Sequence, residues 1–271
     1  MKKILVIGVI FILIGGVFCG VAYAVGERYM DSKVSDMVDV FSADKINKIS
    51  IDDNVANIKF LKSDNGEITV KAENVVESEY KCSVTEDNVL KISYNPSSIK
   101  FGFITLPSFM LKSTTPVINV YIPDGKEFEE VKFKGGVGSI DVAQINAESL
   151  IIGGGVGAYN IENMTTEYLK IDGGVGSIKI NGIINGDSDI DCGVGEVKIT
   201  GEANGNIKLS TGVGSATLNL TGNVSDYNIK ADKGLGSIKL NGSKMPSSID
   251  NGGKYNIKIN AGVGSINITI R

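Results

Sequence analysis

Gly-Val-Gly recurs seven times in the second half of this chain, once with Leu at its centre. The first five copies begin at Gly136, Gly155, Gly174, Gly193 and Gly212, a constant nineteen residues apart, and two more follow at Gly234 and Gly262. A fixed period near twenty residues marks a chain that coils, each turn lying on the last and burying a face it cannot bury alone. Around the glycines the pattern alternates: Leu169 and Ile171 flank Lys170, Ile178 and Ile180 flank Lys179, and Val197 and Ile199 flank Lys198. Such alternation makes strands with one dry face and one wet face. Two short strands and two turns account for one unit. The glycines suit a corner that needs positive φ or close backbone approach. Asn-Gly at 181–182, 185–186, 204–205 and 241–242 marks the opposite turns. Lys170, Asp189 and Lys208 are also nineteen apart, so their charges would alternate in sign on successive turns.

Upstream, Ile49–Ile51, Ile58–Phe60, Ile68–Val70, Val89–Tyr94 and Val117–Ile122 alternate in the same way without the glycines. They are expected to form the first, less regular turns of the same coil. The fold expected is therefore all-β: a single, mainly parallel β-solenoid over residues 45–271. An antiparallel meander of hairpins competes, because Asn-Gly also favours two-residue hairpin turns. The uneven length of the turns favours the solenoid.

Met1-Lys2-Lys3 precedes an uncharged run from Ile4 to Val25. As a helix it would span roughly 33 Å, enough to cross a bilayer core. The lysines hold its start in the cytoplasm, so the rest of the chain is expected outside the membrane. Residues 1–26 read as a transmembrane anchor or a signal peptide. Ala22-Tyr23-Ala24 suits cleavage near Ala24, which would leave a secreted protein, while the length of the run favours the anchor. Met30, Val34, Met37, Val38 and Phe41 recur at helical spacing, which predicts a short juxtamembrane helix or stalk over residues 27–44.

The chemistry available is narrow. With no His, the commonest general base and metal ligand is missing, and a net charge of -4 argues against nucleic acid as a partner. Cys19, Cys82 and Cys192 have no paired-ligand spacing, so zinc is not expected; Cys19 sits inside the apolar N-terminal run, while Cys82 and Cys192 read as buried thiols or as a disulfide pair. Gly174-Val175-Gly176 lacks the third glycine and the following helix of a dinucleotide loop. Asp187, Asp189 and Asp191 alternate on a strand and read as a solvated face. No catalytic residue, cofactor or metal is expected.

One stretch departs from the pattern. Phe101 to Leu111 carries no charge and sits as an insertion between two strands. Phe101, Phe103, Leu106, Phe109 and Met110 concentrate its apolar area, either as a contact for a partner or the membrane or as a cap over the open end of the coil.

Gly-Gly-Val-Gly-Ser-Ile followed by alternating strands, after a strand region that ends in Ile122-Pro123-Asp124-Gly125, resembles a bacterial family of candidate adhesins of unknown function. Its relatives are the toast-rack domains of envelope-stress proteins. Covering roughly residues 45–271, the resemblance implies a β-solenoid, an envelope location and no established catalytic residue. The function expected is a membrane-anchored, non-enzymatic surface scaffold or binding module for an envelope protein or surface ligand. Its alternatives are an envelope-stress sensor contacting other membrane proteins, and a carboxylate enzyme acting on cell-wall glycan.

Overall fold

The computed structural model describes residues 34–53, 55–96, 98–101, 104–107 and 115–271, with backbone alone at 98–101 and 104–107. The expected membrane segment at residues 4–25 lies outside the described residues. Among the described residues no helix is long and apolar enough to cross a membrane.

Among the described residues nine strands precede the glycine repeats: β1 (Val34–Ser42), β2 (Lys48–Asp53), β3 (Asn57–Ser63), β4 (Glu67–Val76), β5 (Tyr80–Val84), β6 (Val89–Tyr94), β7 (Ser98–Phe101), β8 (Ile104–Pro107) and β9 (Val117–Pro123). The repeats follow as β10 (Glu127–Val142), β11 (Ile145–Ile184), β12 (Ser188–Ala203), β13 (Ile207–Leu220), β14 (Tyr227–Leu240) and β17 (Tyr255–Ile270), with the short β15 (Ser243–Lys244) and β16 (Ser248–Ile249) between the last two.

Each repeat strand runs through its glycine corner unbroken, and β11 holds two consecutive turns in 40 residues. The turns pair in parallel with the register read from the period: Glu127 with Asn146, Leu169 with Ser188, Ser188 with Ile207. Identical positions therefore stack. Phe133, Ile152, Ile171, Ile190, Leu209 and Ile259 form one inward ladder, and Ile140, Tyr159, Ile178, Val197, Ala216 and Ile266 another, all buried. These ladders merge into one apolar core along the stack.

The last two turns break the expectation that each turn lies on its predecessor. β13 pairs with β17, and β14 lies beyond it, so the final turn of the chain sits inside the penultimate one. The side chains explain the order. Thr211 and Ala261 are buried at a position where β14 carries Lys233, which is exposed. A lysine there inside the stack would lose its water without a partner, whereas at the open end it keeps it. A carboxamide ladder fastens the inserted turn. Asn206 donates from its backbone N–H to Asp187 Oδ1 at 2.9 Å, Asn256 donates likewise to Asn206 Oδ1 at 2.9 Å, and Asn228 Nδ2 donates to Asn256 at 3.3 Å.

At the other end β2 and β3 form one turn against β10, and β6 with β9 form the next. Beyond it the pairing becomes antiparallel: β5 joins β6, β4 joins β9 and β1 joins β4. The parallel coil thus ends in a reversed layer. Residues 34–42 correct the expected helix over 27–44, because they are the edge strand β1. Met37 and Phe41 are four apart, a spacing that serves a helix and also the even step of a strand. Half-buried Ser35, Met37, Asp39 and Phe41 alternate there with exposed Val34, Asp36, Val38 and Val40.

Candidate functional site

The glycine corner is the most regular surface on the molecule. Gly176 has φ +153°, and a Cβ built on it would collide with the carbonyl oxygen of Gly157 on the adjacent turn. Only a residue without a side chain lets the turns approach this closely. The residue between the glycines points outward. Val137, Val156, Val175, Val194, Val213, Val263 and Leu235 are 45–72% exposed and stack turn upon turn into one apolar ridge. On one side the ridge is bordered by Ser139, Ala158, Ser177, Glu196, Ser215, Ser265 and Ser237, small in every turn but one. β6 ends at Tyr94, paired with Asp53, and β9 begins at Val117, paired with Asn57. The 95–116 insertion therefore leaves the stack at this same corner.

At an opposite turn edge lies a polar groove. Its cavity of about 370 Å³ is lined by Glu127, Glu129, Glu148 and Glu167, with Thr165 and Thr166 between them. Glu129, Glu148 and Glu167 are nineteen apart and hold equivalent positions on three turns. Lys48 balances Glu129 at 3.2 Å, and Asn185 donates to Glu167 at 3.1 Å. Beside it, Gln144 and Lys62 both donate to Asp124 Oδ1, at 3.0 and 3.3 Å, and they hold its carboxyl below the usual range. Among the described residues no three His, Cys, Asp or Glu side chains group as a metal site requires.

Among the described residues Asp53 is the one Asp or Glu that is buried as a whole residue. Burial pushes its pKa up from 3.8 to about 6, against hydrogen bonds from the backbone of Val55 and Ala56. A raised carboxyl often marks a general acid. Here the adjoining space, lined by Ala56, Ile58, Gly135 to Ile140 and Tyr159, is about 10 Å³, the size of a single water.

Both described cysteines are free thiols. Burial pushes Cys82 up to about 12 and raises Cys192 as well, so neither is a reactive thiolate. Of the expected charge ladder, Lys208 meets Asp189 at 3.0 Å, while Lys170 turns to Asp172 at 3.6 Å.

Among the contact residues read from the sequence, Phe101 lies on β7 and Leu106 on β8, a two-stranded hairpin separate from the main sheet. Phe103, Phe109 and Met110 lie outside the described residues, as do the side chains of Phe101 and Leu106. The sequence reading missed the valine ridge and the glutamate groove, although both carry the repeat period.

A family profile described as Toastrack DUF4097 matches residues 46–250. No curated protein matches the chain. Similar solved structures include a candidate cell adhesion protein from Clostridium sporogenes, 20% identical, covering 88% of this chain and 100% of its own, TM-score 0.40. A candidate adhesin from Bacteroides fragilis is 14% identical, covering 88% and 98%, TM-score 0.40. A candidate lipid binding protein from Parabacteroides distasonis is 16% identical, covering 86% and 96%, TM-score 0.43.

Proposed function

The chain belongs to the Toastrack DUF4097 family, and from that premise we propose that it is a non-enzymatic binding scaffold held at the outer side of the cytoplasmic membrane. Residues 4–25 anchor it, and the solenoid faces outward to engage an envelope protein or a surface ligand. The observation that carries this reading is the valine ridge. Seven side chains held in register on a rigid lattice offer an extended surface, which suits recognition of something large better than attack on one bond. Phe101, Phe103, Leu106, Phe109 and Met110, on the insertion that leaves the same corner, are the proposed contact for partner or membrane.

Two measurements test this. After carbonate washing of membranes, the full chain should stay in the pellet; release of a mature form starting near Val25 removes the anchor. The double variant Phe103→Ser/Phe109→Ser should keep its melting temperature and lose association with membranes or a crosslinked partner. A fall in melting temperature with association unchanged reassigns the segment to capping. Turnover of envelope polysaccharide by the purified chain, abolished by Glu148→Gln, would replace the scaffold with an enzyme.

A further inference from the structure

We propose that the large partner the valine ridge recognises is a second copy of this chain, packed side by side with its stack parallel, which leaves the outward contact with an envelope protein or the membrane to the Phe101–Leu111 segment. The ridge runs over seven turns at a spacing near 4.8 Å. Its side chains are apolar at every turn, and glycines flank each one, so a facing side chain can approach the backbone. Identical side chains stacked at this spacing are one half of a dry, interdigitated interface, and the matching half has the same spacing. A second copy supplies it turn for turn. A helix presents its rows every 5.4 Å and falls half a step behind after about four turns.

The direction follows from the anchor, so this inference rests on the function proposed above. Only residues 26–33 separate the membrane run from β1, a reach of at most about 29 Å. Two copies rooted in one bilayer leave it with their reversed layers at the same end, which makes the paired ridges parallel. The area fits a partner already confined to the membrane. An apolar strip of this kind exposes on the order of 500 Å², short of the roughly 800 Å² per partner that a free-standing dimer buries. Glu196 is the one charge in the small-residue border, and Asp191 is exposed on the other side of the same turn. In a parallel pair each Glu196 faces the partner's Asp191, so the two acidic side chains oppose each other at the middle of the seam.

Single cysteines placed along the ridge test the seam in the full chain, in membranes, with Cys19 and Cys82 replaced by Ser and Cys192 by Ala. Val156→Cys, Val194→Cys and Val263→Cys should each crosslink to themselves. Adding Val194→Lys should cut the yield at positions 156 and 263 at least fivefold, and adding Glu196→Ser should raise it, both with the melting temperature unchanged. Crosslinking at 194 alone means antiparallel copies and overturns the geometry. No crosslinking at any ridge position overturns the seam, as does a yield indifferent to Val194→Lys. Loss of membrane binding by Val194→Lys, with crosslinking intact, would assign the ridge to lipid instead. Carbonate extraction of the same membranes reads the anchor separately. If the chain washes off and the three crosslinks persist in the concentrated soluble fraction, the seam stands and the anchor falls.

Discussion

Asp53→Asn should stabilise this protein, by an amount that depends on pH in a defined direction. Asp53 is buried between Tyr94 and Gly135 on the neighbouring strands, and its Oδ1 accepts the Val55 N–H at 3.0 Å. Its pKa rises from 3.8 to about 6 on folding. As pH climbs through 4 the unfolded chain gives up this proton first, and stability falls until the folded form has ionised too. Above pH 6 the full penalty is present, about 3 kcal/mol at 1.36 kcal/mol per pH unit of difference. At pH 3.5 and below both states are mostly protonated and the penalty falls to about 0.2 kcal/mol or less. Asparagine keeps an oxygen for the backbone donors and carries no charge, so it resembles the protonated acid at every pH. The variant should therefore gain about 2–3 kcal/mol at pH 8 and about 0.2 kcal/mol or less at pH 3.5. Urea unfolding followed by circular dichroism, at constant ionic strength across this range, gives the difference between variant and parent and cancels the other carboxylates. An equal difference at both ends of the range, or a variant less stable at pH 8, would refute the assignment of the penalty to Asp53.

Three further substitutions probe the corner and the core. Gly176→Ala places a Cβ against the Gly157 carbonyl in a backbone conformation that favours glycine, so it should cost about 3 kcal/mol or more. Gly135→Ala meets nothing within 4 Å and should stay within about 0.5 kcal/mol of the parent, both read from thermal melts. Ser188 holds a buried hydroxyl with no partner, in a ladder where its neighbours are Leu169 and Ile207. Ser188→Ala should gain about 1 kcal/mol in denaturant midpoint, and a loss of that size would point to a hydrogen bond at this hydroxyl.

The period of nineteen carried the register of the stack, because a repeat in the sequence becomes a ladder once the turns are parallel. What it left unread was the direction of single side chains. Ile152 before the corner and Tyr159 after it both point inward, yet they are seven residues apart. Strict alternation cannot connect an odd separation, so the phase shifts at the glycines and Val156 turns outward. That arithmetic was present in the sequence. The order of the last turns was harder to see, since β14 and β17 carry nearly the same apolar pattern and differ mainly at Lys233 and Ala261. The edge strand β1 was misread because two apolar residues four apart satisfy both periods. Beyond the glutamate spacing, nothing in the sequence marked a groove, which exists only once the turn edges are stacked.

The inverted order of the last two turns makes folding depend on time as well as on contacts. As the chain emerges amino end first, β13 presents an open edge before residues 255–270 exist to cover it. β14 arrives earlier, with a ladder similar enough to occupy that edge, and must be displaced or kept waiting. A chain truncated before Tyr255 therefore lacks an interior layer, though it has lost only its tail. In such a product β14 meets the β13 edge directly and closes the stack one layer early, with Thr211 rather than Ala261 beside Lys233.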